Sequence, residues 1–115
     1  MKTRILHNPR CSKSRATLQL LQQQGIEPDI VLYLEHPPST KEITEILNML
    51  GREPRELMRK GEAEYREQGL DNPELKDEQL VAAMAATPRL IERPIVIHDG
   101  HAAVGRPPES VLDIL

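Results

Sequence analysis

Aromatic residues are almost missing from this sequence. Phe and Trp are absent and Tyr occurs only twice, so a hydrophobic core has to be built from Leu, Ile, Val, Met and Ala. Cysteine is equally scarce, and Cys11 is its single representative. One cysteine cannot form an internal disulfide, which argues against a disulfide-stabilised secreted scaffold. We therefore expect a cytoplasmic protein.

Long apolar runs and an excess of positive charge are also lacking. No run approaches the roughly 20 apolar residues that a membrane-spanning helix requires, and no signal-peptide pattern opens the chain. The formal net charge of −3 argues against a protein that coats nucleic acid. We therefore expect neither a membrane nor a nucleic acid as a partner. At 115 residues, the chain is expected to form a single domain, 1–115, with one modest core.

The first third of the chain has the pattern of a βαβ unit. Residues 3–7 are predicted to form a strand, and a helix after Cys11 is predicted to end where Gly25 follows Gln24. The continuous apolar, β-branched run 30–34 is predicted to be a second strand that is covered on both faces. Short links between strand, helix and strand make these two strands parallel.

Helices are predicted for the middle of the chain, at about 39–87. Ser39 and Glu42 form a capping box at the start of an amphipathic helix, which Gly51 closes. Three further helical segments are predicted after it, over residues 54–61, 62–68 and 77–87.

The end of the chain is predicted to return to β structure. Residues 94–97 form a third strand, Asp99 and Gly100 give a hairpin-turn signal, and residues 102–104 form the returning strand. A last helix begins at Pro107 and Pro108. The order βαβ, helices, ββα is that of an α/β, thioredoxin-like fold: a mixed four-stranded sheet with a helical insertion at about 39–87.

The stretch from His7 to Arg15 joins the first strand to the first helix. Pro9 has no N–H for a sheet ladder and ends the strand, so we expect Cys11 at or just before the helix N-terminus. Unpaired N–H groups and the helix dipole favour a thiolate there, and potential positive charge surrounds it at His7, Arg10, Lys13 and Arg15. We predict that Cys11 is a low-pKa nucleophile at an anion-binding site. On local grounds alone, a small buried core cysteine remains the alternative.

Spacing separates three possible chemistries for this cysteine. A dithiol redox pair needs a second cysteine where Ser14 stands, so self-contained disulfide exchange is excluded. A phosphate-loop tyrosine phosphatase needs an arginine where Thr17 stands, and Arg15 arrives too soon. The pattern favours a monothiol that takes electrons from an external thiol.

A metal site is not predicted. His7 lies four residues before Cys11, but further ligands would have to come from the distant His98 and His101. We interpret His7 as a charged or hydrogen-bonding neighbour of the thiolate, and a solvated histidine at the strand end is the alternative.

Two arginines occur at the ends of predicted strands. Arg93 precedes Pro94 at the start of the third strand, and Arg106 precedes Pro107 after the hairpin, so both lie at edges that can face the Cys11 turn. The paired donors of a guanidinium match two oxygens of a tetrahedral oxyanion. Arg59 comes from the inserted helices, and periodicity does not place it. A solvated surface arginine is the alternative for each.

Five motifs together resemble the glutaredoxin-coupled arsenate reductase family in order and spacing, in particular its short arsenate reductase-like members. They are His-Asn-Pro-Arg-Cys-Ser-Lys-Ser-Arg, Leu-Tyr-Leu-Glu, Glu-Leu-Met-Arg-Lys, Glu-Arg-Pro-Ile-Val and Gly-Arg-Pro-Pro-Glu. The resemblance covers essentially the whole chain. Transcription regulators of the Spx type share the fold, but the best known use a C-x-x-C pair that this chain lacks. Gly105 stands where some family members carry another cysteine.

The resemblance implies an enzyme that reduces arsenate to arsenite, with a role in arsenical resistance. Glutathione would be a co-substrate and glutaredoxin a protein partner, with no metal and no bound organic cofactor. The Arg93–Pro94 bond would be cis. The implied site consists of the nucleophile Cys11, the oxyanion-binding Arg59, Arg93 and Arg106, and the thiolate-supporting His7 and Ser14.

Two other functions remain open from the sequence. One is a non-catalytic thioredoxin-fold regulator or binding module, such as a polymerase-binding protein. The other is a monothiol oxidoreductase that acts on another oxyanion or on a glutathione conjugate.

Overall fold

The computed structural model describes residues 2–115, which divide into two compact units. One unit runs up to His36 and resumes over Arg93–Leu115, and the other comprises Pro37–Glu92. The predicted insertion 39–87 falls within the second unit, and the single-domain organisation stays a prediction. Within residues 2–115, no helix is long and apolar enough to cross a membrane.

The first unit is built on a mixed four-stranded sheet with the strand order β2-β1-β3-β4. Its strands are β1 (Thr3–Leu6), β2 (Asp29–Val31), β3 (Ile95–His98) and β4 (His101–Val104). β1 is parallel to β2 and antiparallel to β3, and β3 is antiparallel to β4. Helix α1 (Ser12–Gln23) links β1 to β2, and a 3₁₀-helix (Pro108–Ile114) follows β4. This topology confirms the predicted thioredoxin-like fold.

The core of the first unit is aliphatic, as the composition requires. Ile5 of β1, Val96 of β3, Leu21 of α1 and Val111 of the last 3₁₀-helix pack together without exposure to solvent. Each such side chain contributes about 1.5–3 kcal/mol relative to an exposed position. The two central strands and α1 are therefore held together by this core, and the Cys11 turn connects β1 to α1.

The second strand differs from its prediction. β2 covers only Asp29–Val31 and lies at the sheet edge, and Ile30 is 49% exposed. Beyond it, the N–H groups of Glu35 and His36 both donate to the Leu32 carbonyl at 2.9 Å, so the backbone turns away from the sheet. The expectation of a longer strand covered on both faces is wrong, because an apolar run alone does not distinguish an edge strand and a turn from a central strand.

The second unit is helical. Its helices are α2 (Thr40–Leu50), α3 (Pro54–Leu57), α4 (Ala63–Glu67), α5 (Asp77–Ala86) and a 3₁₀-helix (Pro88–Leu90). α2 begins as predicted: Ser39 Oγ accepts the Glu42 N–H, and Glu42 Oε1 accepts the Ser39 N–H, both at 3.1 Å. Gly51 ends α2 in the left-handed conformation with φ 65°, which glycine adopts without a Cβ penalty. α2 packs against α5.

α3 ends earlier than predicted. Met58 is extended and forms an isolated antiparallel bridge with Ile91. The Arg59 N–H donates to the Leu90 carbonyl at 2.7 Å, and the Glu92 N–H donates to the Leu57 carbonyl at 2.8 Å. These bonds to distant residues replace the i to i−4 bonds of a continuing helix, so the helix predicted to extend over 54–61 is wrong beyond Leu57.

Candidate active site

A tight turn carries the chain from β1 into α1. The Cys11 N–H donates to the Asn8 carbonyl at 3.0 Å, and Asn8 Oδ1 accepts the Arg10 N–H at 3.0 Å. Proline after asparagine suits this turn, because proline presets φ and the asparagine side chain bonds the backbone two residues on. Cys11 becomes the N-cap of α1, with φ −97° and ψ 123°. Its predicted position at the helix N-terminus is confirmed.

The helix end and one arginine together favour the thiolate form of Cys11. Burial, the largest single influence, raises the pKa of the thiol. It is outweighed by the Ser14 N–H, the side-chain donors of Arg93, the Lys13 N–H and the charge of Arg93, so the net pKa of Cys11 is lowered. Because the residue remains partly exposed, the thiolate is accessible to a small reactant.

The arginines at this thiol come from the far end of the chain. Arg106 Nη2 lies 4.0 Å from Cys11 Sγ, and Arg106 Nε donates to the Arg93 carbonyl at 2.8 Å. Arg93 Nε is buried and has no hydrogen-bond partner within residues 2–115. A buried donor without a partner is costly, so Arg93 Nε is a candidate donor to a bound anion. The structure thus brings Cys11, Arg93 and Arg106 together.

The cations next to Cys11 in sequence have smaller roles than expected. Arg15 Nη1 donates to the Pro9 carbonyl at 2.9 Å and so binds the turn itself. The charge that lowers the pKa of Cys11 comes from Arg93. Proximity in sequence overestimated how far these residues lower the pKa of Cys11. Their side chains are exposed to solvent, Arg10 before α1 and Lys13 and Arg15 in its first turn.

His7 is a buried hydrogen-bonding residue. His7 Nδ1 lies 2.6 Å from Ser14 Oγ, which also accepts the Asn8 N–H at 3.0 Å. Burial and then the charge of Arg15 lower the pKa of His7, which favours the neutral ring. The alternative of a solvated strand-end histidine is therefore wrong, and the lowered pKa argues against a charged His7. That His7 and Ser14 support the thiolate stays a prediction.

Arg59 belongs to the second unit and is bound by carboxylates there. Arg59 Nε lies 3.1 Å from Glu62 Oε1, and Nη1 lies 3.5 Å from Glu92 Oε1. Arg89 Nη2 contacts the other oxygen of Glu62 at 3.2 Å. The assignment of Arg59 to the oxyanion site stays a prediction that rests on its motif.

Two proline bonds lie beside the site arginines. The Arg93–Pro94 bond is cis, as predicted, and the Arg106–Pro107 bond is also cis, which no prediction covered.

Sequence reasoning missed one residue next to the site. Thr17 is fully buried in α1, and its Oγ1 donates to the Lys13 carbonyl at 2.8 Å. The signal was present: Ser14 and Thr17, three residues apart, lie on the same helix face as the core residue Leu21. Two polar side chains, Ser14 and Thr17, on the buried face of α1 indicate that this face contacts polar groups as well as the core.

The described part of the chain, residues 2–115, contains no group of three or more His, Cys, Asp or Glu residues arranged to hold a metal ion. His98 Nδ1 instead lies 2.6 Å from Thr3 Oγ1, and His98 pairs with His101 across the hairpin.

Known proteins are similar to this chain in sequence and in structure. A model of the ArsC family matches residues 6–114. The chain belongs to the ArsC family. It is 50% identical over 113 residues to an arsenate reductase of Neisseria meningitidis, covering 97% of each chain. It is also 50% identical over 115 residues to the uncharacterized protein YfgD of Escherichia coli, covering 99% of this chain and 97% of that protein.

A solved structure superposes on the whole of this chain. The arsenate reductase from Vibrio cholerae is 52% identical and superposes with a TM-score of 0.97, covering 100% of this chain and 98% of that one. The resemblance to a family of arsenate reductases and the fold predicted from the order of the elements are confirmed, and the coupling to glutaredoxin stays a prediction.

Proposed function

We propose that this protein is an arsenate reductase in which Cys11 is the nucleophile. The observation that carries the proposal is a partly exposed thiol with a lowered pKa at the N-terminus of α1, with Arg93 and Arg106 beside it. Arsenate as the substrate is supported by relatives about half identical to this chain that bear the name arsenate reductase.

The arginines supply the charge that an arsenate oxyanion needs. Arg93 contributes a buried Nε that has no partner among the described residues, and Arg106 places its Nη2 4.0 Å from Cys11 Sγ. Guanidinium groups hold tetrahedral oxyanions with paired donors. Arg59 is proposed as a third ligand on the strength of its motif, and an anion bound to it would share it with Glu62 and Glu92.

The first chemical step is displacement at arsenic. The Cys11 thiolate attacks pentavalent arsenic, a sulfur–arsenic bond forms, and an arsenic–oxygen bond breaks. The departing oxygen takes up a proton and leaves as water, while arsenic remains pentavalent. The arginine charges stabilise the negative oxygens throughout this step.

The second step moves two electrons to arsenic. A glutathione thiol attacks the Cys11 sulfur, a disulfide bond forms, and the sulfur–arsenic bond breaks with its electron pair remaining on arsenic, which leaves as arsenite. A glutaredoxin thiol then removes the glutathionyl group and regenerates the Cys11 thiolate. A further glutathione restores glutaredoxin and leaves as glutathione disulfide. External thiols are needed because the chain has one cysteine.

The proposal is tested by turnover with purified components. Arsenate, glutathione, a glutaredoxin, glutathione reductase and NADPH are mixed with the protein, and arsenate-dependent NADPH consumption is recorded. Activity is expected with the wild type and with Ser12→Ala, a matched change at the exposed neighbouring position. Cys11→Ser should reduce the rate to background, and omission of glutaredoxin should slow the wild type.

Absence of arsenate-dependent turnover with a glutaredoxin of proven activity would refute the proposal. Co-purification with RNA polymerase without turnover would instead favour the regulator. Glutathione release from a glutathione conjugate, without arsenate reduction, would favour a monothiol oxidoreductase of other specificity.

A further inference from the structure

At Gly105 there is no room for a side chain, whereas at most of the other glycines the backbone conformation is the reason for glycine. Gly25, Gly51, Gly69 and Gly100 all have positive φ, and a Cβ added to any of them would meet nothing within 4 Å. Gly105 has no positive φ, but a Cβ there would lie 2.5 Å from Thr17 Oγ1, 2.9 Å from Pro94 Cγ and 3.1 Å from Thr17 Cγ2. The backbone at 105 therefore touches two other segments of the first unit.

Neither neighbour of Gly105 can move aside easily. Thr17 is β-branched and fully buried, and its hydroxyl is held by the bond to the Lys13 carbonyl at 2.8 Å. Pro94 is a closed ring, and its carbonyl accepts the Gly105 N–H at 2.9 Å. The contact distance between α1 and the end of β4 is thus set by atoms with little freedom.

This contact lies between the parts that carry the reactive groups. α1 presents Cys11 at its N-cap, and Arg106 follows Gly105 directly. Arg106 reaches Sγ at 4.0 Å while its Nε bonds the carbonyl of Arg93, the residue before Pro94. A Cβ at 105 would strike both Thr17 and Pro94. Relief of this overlap would displace Arg106, which follows Gly105, and Arg93, which precedes Pro94.

We propose that the contact between Gly105 and Thr17 sets the spacing between the two arginines and the Cys11 sulfur, which makes both contact residues positioning residues of the anion site. The proposal rests on the proposed function for the identity of the anion. The spacing itself follows from the geometry alone.

Gly105→Ala tests the proposal directly. The added methyl group should displace Arg106 and, through Pro94, Arg93. A weaker Arg93 contact should raise the pH midpoint of iodoacetamide alkylation of Cys11, and the displacement of both arginines should raise the arsenate concentration that half-protects Cys11. The expected weakening of protection is about tenfold, the cost of one charged hydrogen bond. Gly61→Ala is the matched control, because Gly61 lacks positive φ and a Cβ there meets nothing within 4 Å.

Two double variants identify the responsible contact. Thr17→Ala removes both atoms that a Cβ at 105 would strike on α1, and residue 105 can then shift into the vacated space and away from Pro94 Cγ, which a Cβ would otherwise approach to 2.9 Å. Thr17→Ala with Gly105→Ala should therefore recover much of the alkylation midpoint and the protection. Thr17→Ser keeps Oγ1, the nearest atom at 2.5 Å, so Thr17→Ser with Gly105→Ala should not. A merely structural role would change thermal stability but leave the alkylation midpoint in place.

The proposal is overturned if folded Gly105→Ala keeps the alkylation midpoint and protection of Gly61→Ala. If Gly105→Ala does not fold, the double variant with Thr17→Ala decides. A folded double variant with a near-wild-type midpoint supports the contact with Thr17. A raised midpoint or failure to fold assigns the spacing to the Pro94 contact that Thr17→Ala leaves in place, and overturns the proposal. Alkylation does not require turnover, so an inactive wild type would refute the reductase proposal while leaving this test intact.

Discussion

Replacing Arg93 with glutamine is expected to raise the pKa of Cys11. Arg93 opposes the effect of burial in two ways, as a side-chain hydrogen-bond donor to the thiolate and as a nearby charge. Glutamine removes the charge and cannot reproduce the geometry of the guanidinium donors. The reactive thiolate should therefore form only at higher pH than in the wild type.

The size of the effect follows from the exposure of the site. A hydrogen bond to a charged partner is worth about 1.5–3 kcal/mol. Because Cys11 is partly exposed, solvent screening brings the effect to the lower end of this range, about 1.5 kcal/mol, which corresponds to a roughly tenfold slower alkylation at a fixed pH below the midpoint. Arg93→Lys keeps the charge but loses the planar donors and should give a smaller rise. Arg106→Gln should change the pKa least, since its contact with Sγ is long at 4.0 Å.

The assay is the pH dependence of iodoacetamide alkylation, followed by intact mass. The chain has a single cysteine, so each added carbamidomethyl group reports on Cys11 alone. Arg89→Gln serves as a control, because Arg89 contacts Glu62 and Glu64 in the second unit. An alkylation midpoint for Arg93→Gln equal to that of Arg89→Gln would refute the view that Arg93 tunes the thiol.

Two further predictions concern the buried pair behind the thiol. Ser14→Ala should lower the free energy of unfolding by about 1–3 kcal/mol, because it leaves the Asn8 N–H and His7 Nδ1 without their partner. Urea denaturation measures this free energy. The control Ser12→Ala, at an exposed position, should change it by less than about 0.5 kcal/mol. Acidification should destabilise the protein as the pH falls below the ordinary His7 pKa of 6.5, because the unfolded chain then takes up a proton that buried His7 resists. The loss should continue down to the lowered folded-state pKa. When the free energy of unfolding is measured across this pH range, it should change less steeply with pH for His7→Gln than for the wild type. An equal pH dependence would contradict the lowered pKa of buried His7.

The ends of several elements could be predicted from capping residues, proline or glycine in the sequence. The Ser39 capping box and the Gly51 terminus appear as predicted, because each depends on residues within one helical turn. The position of Cys11 at the N-cap was predictable in the same way from Pro9 and the helical pattern after it. The fold followed from the order of these elements.

Long-range features escaped local reasoning. Nothing in the run 30–34 shows that β2 is an edge strand, because that depends on which strands pair with β1. Similarly, the sequence placed Arg93 and Arg106 at strand ends, but the resemblance to a family was needed to name an oxyanion. The Thr17–Gly105 contact was invisible in sequence, because a glycine does not show whether it supplies freedom or space.

The close approach of residues 17 and 105 also constrains how this chain can evolve. A Cβ at 105 would require Thr17 or Pro94 to shift. A substitution at 105 that is harmful in this chain is therefore expected to become tolerable once residue 17 is smaller or the Pro94 turn is displaced. Positions that depend on each other in this way show sign epistasis, so the effect of a cysteine at 105 is expected to depend on the sequence background in which it arises.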